Sequence, residues 1–282
     1  MDKETIKREL HTIFGDCEGN IIAAETAVCP EMAGLQMFEE PIVGFGAADD
    51  TLFVRYKEEG VIGPWHMTPC QWLPEAVTVI SLFFPFTEKV RKDNRKSCDG
   101  PAPAWLHGRI EGQEYIAAYM KELSLWFTAQ GVKNCVPAAD DRFQKVMSGK
   151  GMAAYPDLDE HIFGSNWSER HAAYVCGLGT FGLSKGIITR KGMAGRFGSI
   201  IIDAALEPDE RPYKGIYDYC TKCGACVRRC PVDAISLDKG KDHNICGEWL
   251  NKTREIYAPR YGCGLCQTKV PCEERIPEKR QV

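Results

Sequence analysis

The chain has 282 residues, 44% of them hydrophobic and 26% charged, enough for two domains or one large one with its own core. A net charge of −4, with no run of like charges, excludes the basic footprint of a nucleic-acid binder and a polybasic membrane patch. The charged opening MDKETIKRELHTIF has neither the apolar stretch of a secretory signal nor a twin-arginine pattern, and no apolar run reaches the length of a membrane span, so the expected location is the cytoplasm.

Residues 1–14 read as an opening helix. Residues 15–75 carry Gly and Pro throughout and show no clear period. AVTVISLFF (76–84) is a β-branched apolar run, short enough to be a buried strand. The polar, then Pro-rich stretch TEKVRKDNRKSCDGPAPAW reads as a loop. A helix is predicted from about Glu111 to Gln130. There Ile116, Tyr119, Met120, Leu123, Trp126 and Phe127 recur at three- and four-residue steps, and Gly131 supplies a stop. That stripe is core packing. A shorter helix is expected to start at Ser168, an N-cap residue type, and to run through ERHAAYVC to Gly177. Two strands follow, GIITR (186–190) and SIIIDAAL (199–206), expected as a hairpin joined by KGMAGRFG. From about residue 215 the chain is cysteine-rich and loop-like. Two units are expected: an α/β (α+β) domain over 1–210 and a ferredoxin-like domain over 211–282.

Fourteen cysteines in a reducing compartment read as metal ligands or free thiols. Six (Cys17, Cys29, Cys70, Cys98, Cys135 and Cys176) lack ligand spacing and are expected as small buried hydrophobes. The other eight lie between Cys220 and Cys272. CTKCGACVRRCP spells C-x2-C-x2-C-x3-C-P, a run whose first three thiolates wrap one 4Fe–4S cluster while the fourth serves another. Cys220, Cys223 and Cys226 therefore need a fourth partner, and Cys230 starts a second set. Downstream stand Cys246 and, in CGLCQTKVPC, Cys263, Cys266 and Cys272. Eight thiolates suit two clusters: Cys220, Cys223, Cys226 and Cys272 for one, Cys230, Cys246, Cys263 and Cys266 for the other. Two zinc sites are the alternative, since C-x2-C pairs also suit zinc. The Cys-Pro step and its CPVDAIS continuation favour iron–sulfur. Cys272 fits the pattern least, lying six positions after Cys266 with Pro271 before it.

Gly177-Leu-Gly179-Thr-Phe-Gly182 matches G-x-G-x-x-G, and Asp203 follows about twenty residues on. The context is wrong for a dinucleotide: the glycines follow a helix, and a hairpin separates them from Asp203. Glycines at this density allow close backbone approach, either to something large and flat or at a tight packing corner. Asp159 to Gly164 matches D-x-H-x-x-G, a string some corrinoid enzymes use, but His161 reads better as a surface or capping histidine, and His171 as a packed one.

The order ERHAAYVCGLGTFGLSKG, then GRFGSIII, then the two cysteine groups ending in GCGLCQ, resembles the epoxyqueuosine reductases, cobalamin-dependent iron–sulfur enzymes related to reductive dehalogenases. The resemblance implies a cobalamin-binding α/β domain with a ferredoxin-like domain packed on it. In that family the corrinoid is bound base-off and receives single electrons through two 4Fe–4S clusters, so the protein is expected to be oxygen-sensitive and to take electrons from a donor such as ferredoxin or flavodoxin. Carried over by position, Gly177, Gly179, Thr180, Gly182, Leu183, Arg190, Gly198 and Ser199 line the corrin side. Two departures stand out. The family's proton-donating aspartate falls here near Phe163, with no acid between His161 and Glu169. The chain also ends ten residues after Cys272, where the tRNA-acting members continue into a helical-repeat domain. The expected substrate is therefore a small molecule and not tRNA. The dehalogenase pattern of a tyrosine acid points to Tyr155 or Tyr174. The alternative is a ferredoxin-type electron carrier, or a partner that reduces a corrinoid, without substrate chemistry of its own.

Overall fold

The computed structural model describes residues 1–146 and 164–278. Helix α1 (Lys3–Asp16) is capped by the Asp2 carboxylate, which accepts from the Thr5 amide, and buries Ile6, Leu10 and Ile13 along one face. The stretch without a clear period contains β1 (Ile42–Ala47) and two short helices, α2 (Thr51–Arg55) and α3 (Pro69–Trp72). Its strand, IVGFGA, carries glycines where a later helix lies on it: a side chain at Gly44 would overlap the Cys176 carbonyl.

Strand β2 (Thr78–Pro85) is buried at all eight positions. The reason is its place in the sheet. It pairs antiparallel with β1 on one edge and with β8 (Gly195–Ile202) on the other, and β3 (Asn134–Cys135) closes the order β1-β2-β8-β3. A strand paired on both edges and covered on both faces reads as a continuous apolar run. On one face Ile80, Leu82, Phe84, Ile200 and Ile202 meet α1 and α6 (Glu111–Ala129), whose stripe of Ile116, Tyr119, Met120, Leu123 and Phe127 is core as expected. On the other face Val79 and Ile201 meet Trp167 and α7 (Glu169–Val175). The fold is mixed α/β, with an antiparallel central sheet.

Three expectations need correction. The stretch read as a loop holds α4 (Glu88–Lys96) and α5 (Pro103–Arg109). Helix α4 buries Val90, Arg91 and Asn94, so two of its three buried groups are polar and hydrogen-bonded, and no apolar stripe marks it. The expected hairpin does not form either. Strand β7 (Ile187–Thr189) pairs with β6 (Gly179–Phe181) in a two-stranded unit, while β8 starts earlier, at Gly195, and joins the central sheet. Short-range turn chemistry gave way to long-range pairing with β2. Lastly, of the six scattered cysteines only Cys176 is buried; Cys70 and Cys98 are exposed, and Cys17, Cys29 and Cys135 lie between. Strands β4 (Lys145–Val146) and β5 (Gly164–Ser165) form a small ribbon. Among the described residues, no helix is long and apolar enough to cross a membrane.

Candidate metal centre

The cysteine-rich part is built from short elements. The first three cysteines lead into α8 (Ala225–Arg228), a single turn entered through Gly224 in the left-handed region at φ +70°. Cys230 follows, and its sulfur accepts from the Ala234 amide at 3.2 Å. A ribbon of β9 (Ile235–Ser236) and β10 (Gly240–Lys241) then leads to α9 (His243–Tyr257), capped by Asp242, with Cys246 in its first turn. Gly264, at φ +67°, separates Cys263 from Cys266, and any side chain there would overlap the Trp105 ring of α5. Leu265, fully buried, fills the single turn that follows.

The thiols fall into two neighbourhoods. Burial pushes Cys272 up to about 12, and Cys226, Cys220 and Cys223 add to the rise. Cys226 is pushed up to about 11 by burial, with Cys266, Cys220 and Cys223 adding. Burial raises Cys246, with Lys241 opposing and Cys266 and Cys230 adding. Cys263 is pushed up to about 11 by burial, with Cys266 and Cys246 beside it. Cys220, Cys223, Cys226 and Cys272 line one cavity, while Cys266 acts on Cys246 and Cys263 as well as on Cys226. Buried thiols of this kind stay protonated unless a bound metal supplies the compensating charge. Among the described residues, no three His, Cys, Asp or Glu side chains are close enough to hold a single metal ion. A cubane sets a different requirement, since its thiolates surround a body of eight atoms.

The glycine-rich segment packs directly on the first group. Gly182, Leu183, Ile188 and Met193 face Cys220, Cys223, Cys226 and Cys272 across one cavity. Thr180 Oγ1 accepts from the Tyr219 amide at 2.9 Å, one residue before Cys220. The Met193 amide donates to the Cys272 carbonyl at 3.0 Å and the Ala194 amide to Glu273 at 3.1 Å. A side chain at Gly192 would overlap the Glu273 carbonyl. Glu273 is buried and bound by Arg95 at 2.7 Å. The second group is anchored through α4. Asn94 Nδ2 donates to Thr268 Oγ1 at 3.1 Å and to the Cys263 carbonyl at 3.3 Å, while its Oδ1 accepts from the Ala102 amide at 3.0 Å. Arg229 donates to the carbonyls of Ser97 at 2.9 Å and Asn94 at 3.1 Å, at the C-terminal end of that helix.

The remaining sequence-derived positions scatter. Gly177 lies against the Glu210 carbonyl, and a side chain at Gly179 would overlap the Ile188 carbonyl, so both serve close packing of the chain on itself. Gly198 faces Met120 and Ile116 of α6, on the opposite side of β8 from Ser199, whose hydroxyl accepts from Trp167 Nε1 at 2.9 Å. Arg190 is exposed in the turn before Gly192. Tyr174 is packed against Tyr213 at 5.0 Å, with its hydroxyl 3.5 Å from the Lys214 carbonyl and its ionisation raised by burial. His171 is half-buried, its Nδ1 2.7 Å from Ser168 Oγ. Tyr155, His161 and Phe163 lie outside the described residues.

Other groups carry no sequence signal beyond their residue type. Glu169 has both carboxyl oxygens buried without a hydrogen-bond partner, and burial pushes it up to about 7 against the nearby Ser199 hydroxyl. Arg170 next to it is exposed; desolvation by the protein around it lowers it, while Cys266 and Cys246 pull the other way. Arg196 is lowered to about 9 by burial and by the charges of Arg109 and Arg170. Lys241 would be lowered by burial, but Cys266 and Cys246 outweigh that and raise it. Cations therefore gather beside the second cysteine group.

These features define an iron–sulfur motif set into a mixed α/β fold, and a 4Fe–4S binding domain matches residues 213–236. An epoxyqueuosine reductase of Staphylococcus aureus is 26% identical over 209 residues, covering 71% of this chain and 49% of that protein; one from Bacillus cereus is 29% identical over 143 residues, covering 46% and 36%. The chain spans about half the length of the first of these and less of the second. In fold it is similar to an epoxyqueuosine reductase solved with a tRNA-Tyr epoxyqueuosine-modified stem loop, with a TM-score of 0.54 and 15% identity, over 96% of this chain and 65% of that one. A catabolic reductive dehalogenase in complex with 3-bromo-4-hydroxybenzoic acid gives a TM-score of 0.52 and 16% identity, over 84% and 30%. The chain resembles the epoxyqueuosine reductases and the reductive dehalogenases related to them.

Proposed function

We propose that the protein is an iron–sulfur reductase holding two 4Fe–4S clusters, one on Cys220, Cys223, Cys226 and Cys272 and one on Cys230, Cys246, Cys263 and Cys266. The observation that carries this reading is the cavity on which Cys220, Cys223, Cys226 and Cys272 converge, with the 4Fe–4S binding domain matched over residues 213–236 and Cys246, Cys263 and Cys266 acting on one another beside it. Interleaved ligands hold the clusters close and shorten the electron path between them. In this reading residues 211–282 form the cluster domain and residues 1–210 carry the site of reduction.

The resemblance extends the reading to a base-off cobalamin as terminal acceptor, which would supply the reducing chemistry on a small substrate. The chain's own residues set the surroundings of that acceptor. Arg170 and Lys241 bring positive charge beside Cys246 and Cys266, and Glu169 holds a proton near neutral pH. A second reading, an electron carrier that binds no corrin, is favoured by one observation: Gly177, Gly179 and Gly198 pack against protein.

The test is iron and cobalt content after oxygen-free purification, reconstitution and addition of cobalamin. About eight irons per chain are expected for two clusters, and about four for Cys272→Ser and for Cys246→Ser, each losing a different cluster signal. Stoichiometric cobalt with a base-off spectrum supports the reductase; iron without cobalt supports the carrier. Zinc in place of iron, or loss of both signals from either single variant, overturns the two-cluster assignment.

A further inference from the structure

Of the eight cysteines between Cys220 and Cys272, Cys223 is the exposed one. The chain around it is held in an unusual shape: Lys222 lies at φ +50° and Gly224 at φ +70°. Arg228 folds back so that its Nη1 donates to the Cys223 carbonyl at 3.4 Å. Val270, Pro271 and Cys272 face Lys222 and Cys223 across the same cavity, and Lys269, also at positive φ, immediately precedes them. Lys222, Arg228 and Lys269 are all exposed, and among the described residues none of them makes an ion pair. Of the acids that follow on the same segment, Glu273 is buried against Arg95 and Glu274 is 3.1 Å from Arg95 and 3.3 Å from Arg91, while exposed Glu278 follows Pro277 on the cavity lining. Leu237, 55% exposed, stands beside Gly224 within this rim.

Cations that balance internal thiolates lie among them, as Lys241 does beside Cys266 and Cys246. An exposed ammonium is screened within about 10 Å at ordinary salt, so it acts chiefly on a partner arriving from solvent. A basic rim on a protein of net charge −4 is a local inversion of sign, and such inversions steer and orient encounters more than they add affinity.

We propose that Lys222 and Arg228 beside Cys223, with Leu237 next to Gly224 and Lys269 at the head of the segment facing them across the cavity, dock a small acidic protein that carries single electrons, which enter the first cluster there. In each encounter one electron leaves the reduced carrier and one is gained by the cluster; no bond is made or broken. The inference rests on the reading that Cys220, Cys223, Cys226 and Cys272 bind a cluster.

The test uses the reconstituted holoprotein and a reduced flavodoxin as the acidic carrier, following cluster bleaching by stopped flow. Between about 0.01 M and about 1 M ionic strength the screening length falls from about 30 Å to about 3 Å, so the second-order rate should fall tenfold or more, by about the smallest gain that steering gives. Lys222→Glu with Lys269→Glu should slow the low-salt reaction by about the same factor, flatten its salt dependence and converge with the parent at high salt. Leu237→Glu, which alters no cysteine neighbour in sequence, should act in the same direction, and it decides the matter if the double variant loses iron. Transfer to oxidised cytochrome c, a basic protein, should be faster in the charge-reversed variants than in the parent. A rate that is independent of salt, or equal in parent and variants, overturns the docking face. A parent protein that assembles no iron overturns the underlying cluster reading instead, so the two failures are distinguishable.

Discussion

Asn94 offers the sharpest test of how the cysteine-rich part is held. It is fully buried, and its amide joins three partners: the Ala102 N–H, the Cys263 carbonyl and the Thr268 hydroxyl. Asn94→Ala strands two backbone groups, while Thr268 keeps its bond to the Gly264 carbonyl. Each stranded group costs about 1–3 kcal/mol, so the sum is about 2–6 kcal/mol with no apolar area lost. If the cysteines hold iron as proposed, its loss would make unfolding irreversible, so the rate is the proper measure. Two kcal/mol corresponds to about 30-fold faster unfolding if the contacts break before the transition state. Chelator-driven iron release should quicken first at the second cysteine group, whose Cys263 carbonyl loses its donor. Asn94→Asp keeps an acceptor for Ala102 but sets a carboxylate against that carbonyl, and should do no better. Unfolding accelerated less than about fivefold, with iron release unchanged, would refute the claim that α4 anchors this region.

Two further outcomes follow from single residues. Burial raises the Glu169 carboxyl from its ordinary 4.5 to about 7, so the folded chain keeps a proton that the unfolded chain gives up. Stability should then fall by about 3 kcal/mol as pH rises from about 4.5 to about 7 and level off above that, and Glu169→Gln should abolish the slope in a pH series of unfolding measurements; a slope that survives in the variant contradicts this. Gly264→Ala places a side chain against Trp105 at a positive φ and should cost the second cluster its iron, whereas Gly247→Ala in α9 meets nothing within 4 Å and should leave iron content unchanged.

The long apolar strand β2, helices α1, α6 and α7, and the spacing of the first four cysteines were all readable from the chain, because each is written in a period or a fixed interval. Helix α4 was not, because it buries Arg91 and Asn94, whose partners Glu273 and Thr268 lie far along the sequence. The glycines from Gly177 to Gly198 signalled close approach, but what approaches is mostly the chain itself: Glu210, Ile188, Glu273 and Met120. The hairpin expectation failed for a related reason, since local turn residues carry no record of β2 waiting as a partner for β8. The sequence assigned Cys272 to the first triad although it fitted the spacing least, and Cys272 shares a cavity with Cys220, Cys223 and Cys226.

If the two proposed ligand sets hold, their interleaving also sets an order of assembly. Every ligand of the second set lies between Cys226 and Cys272, so the inner set closes on its own stretch of chain. The outer set must reach around all of it. Filling the inner site first shortens the effective loop that the outer site has to close and lowers its entropic cost. Oxidative damage would run the same route in reverse: iron lost from the inner set frees the long loop and loosens Cys272, while iron lost at exposed Cys223 leaves the inner set closed. With the ligand sets proposed above, the protein would lose the cluster at Cys223 and regain it without taking apart the inner one.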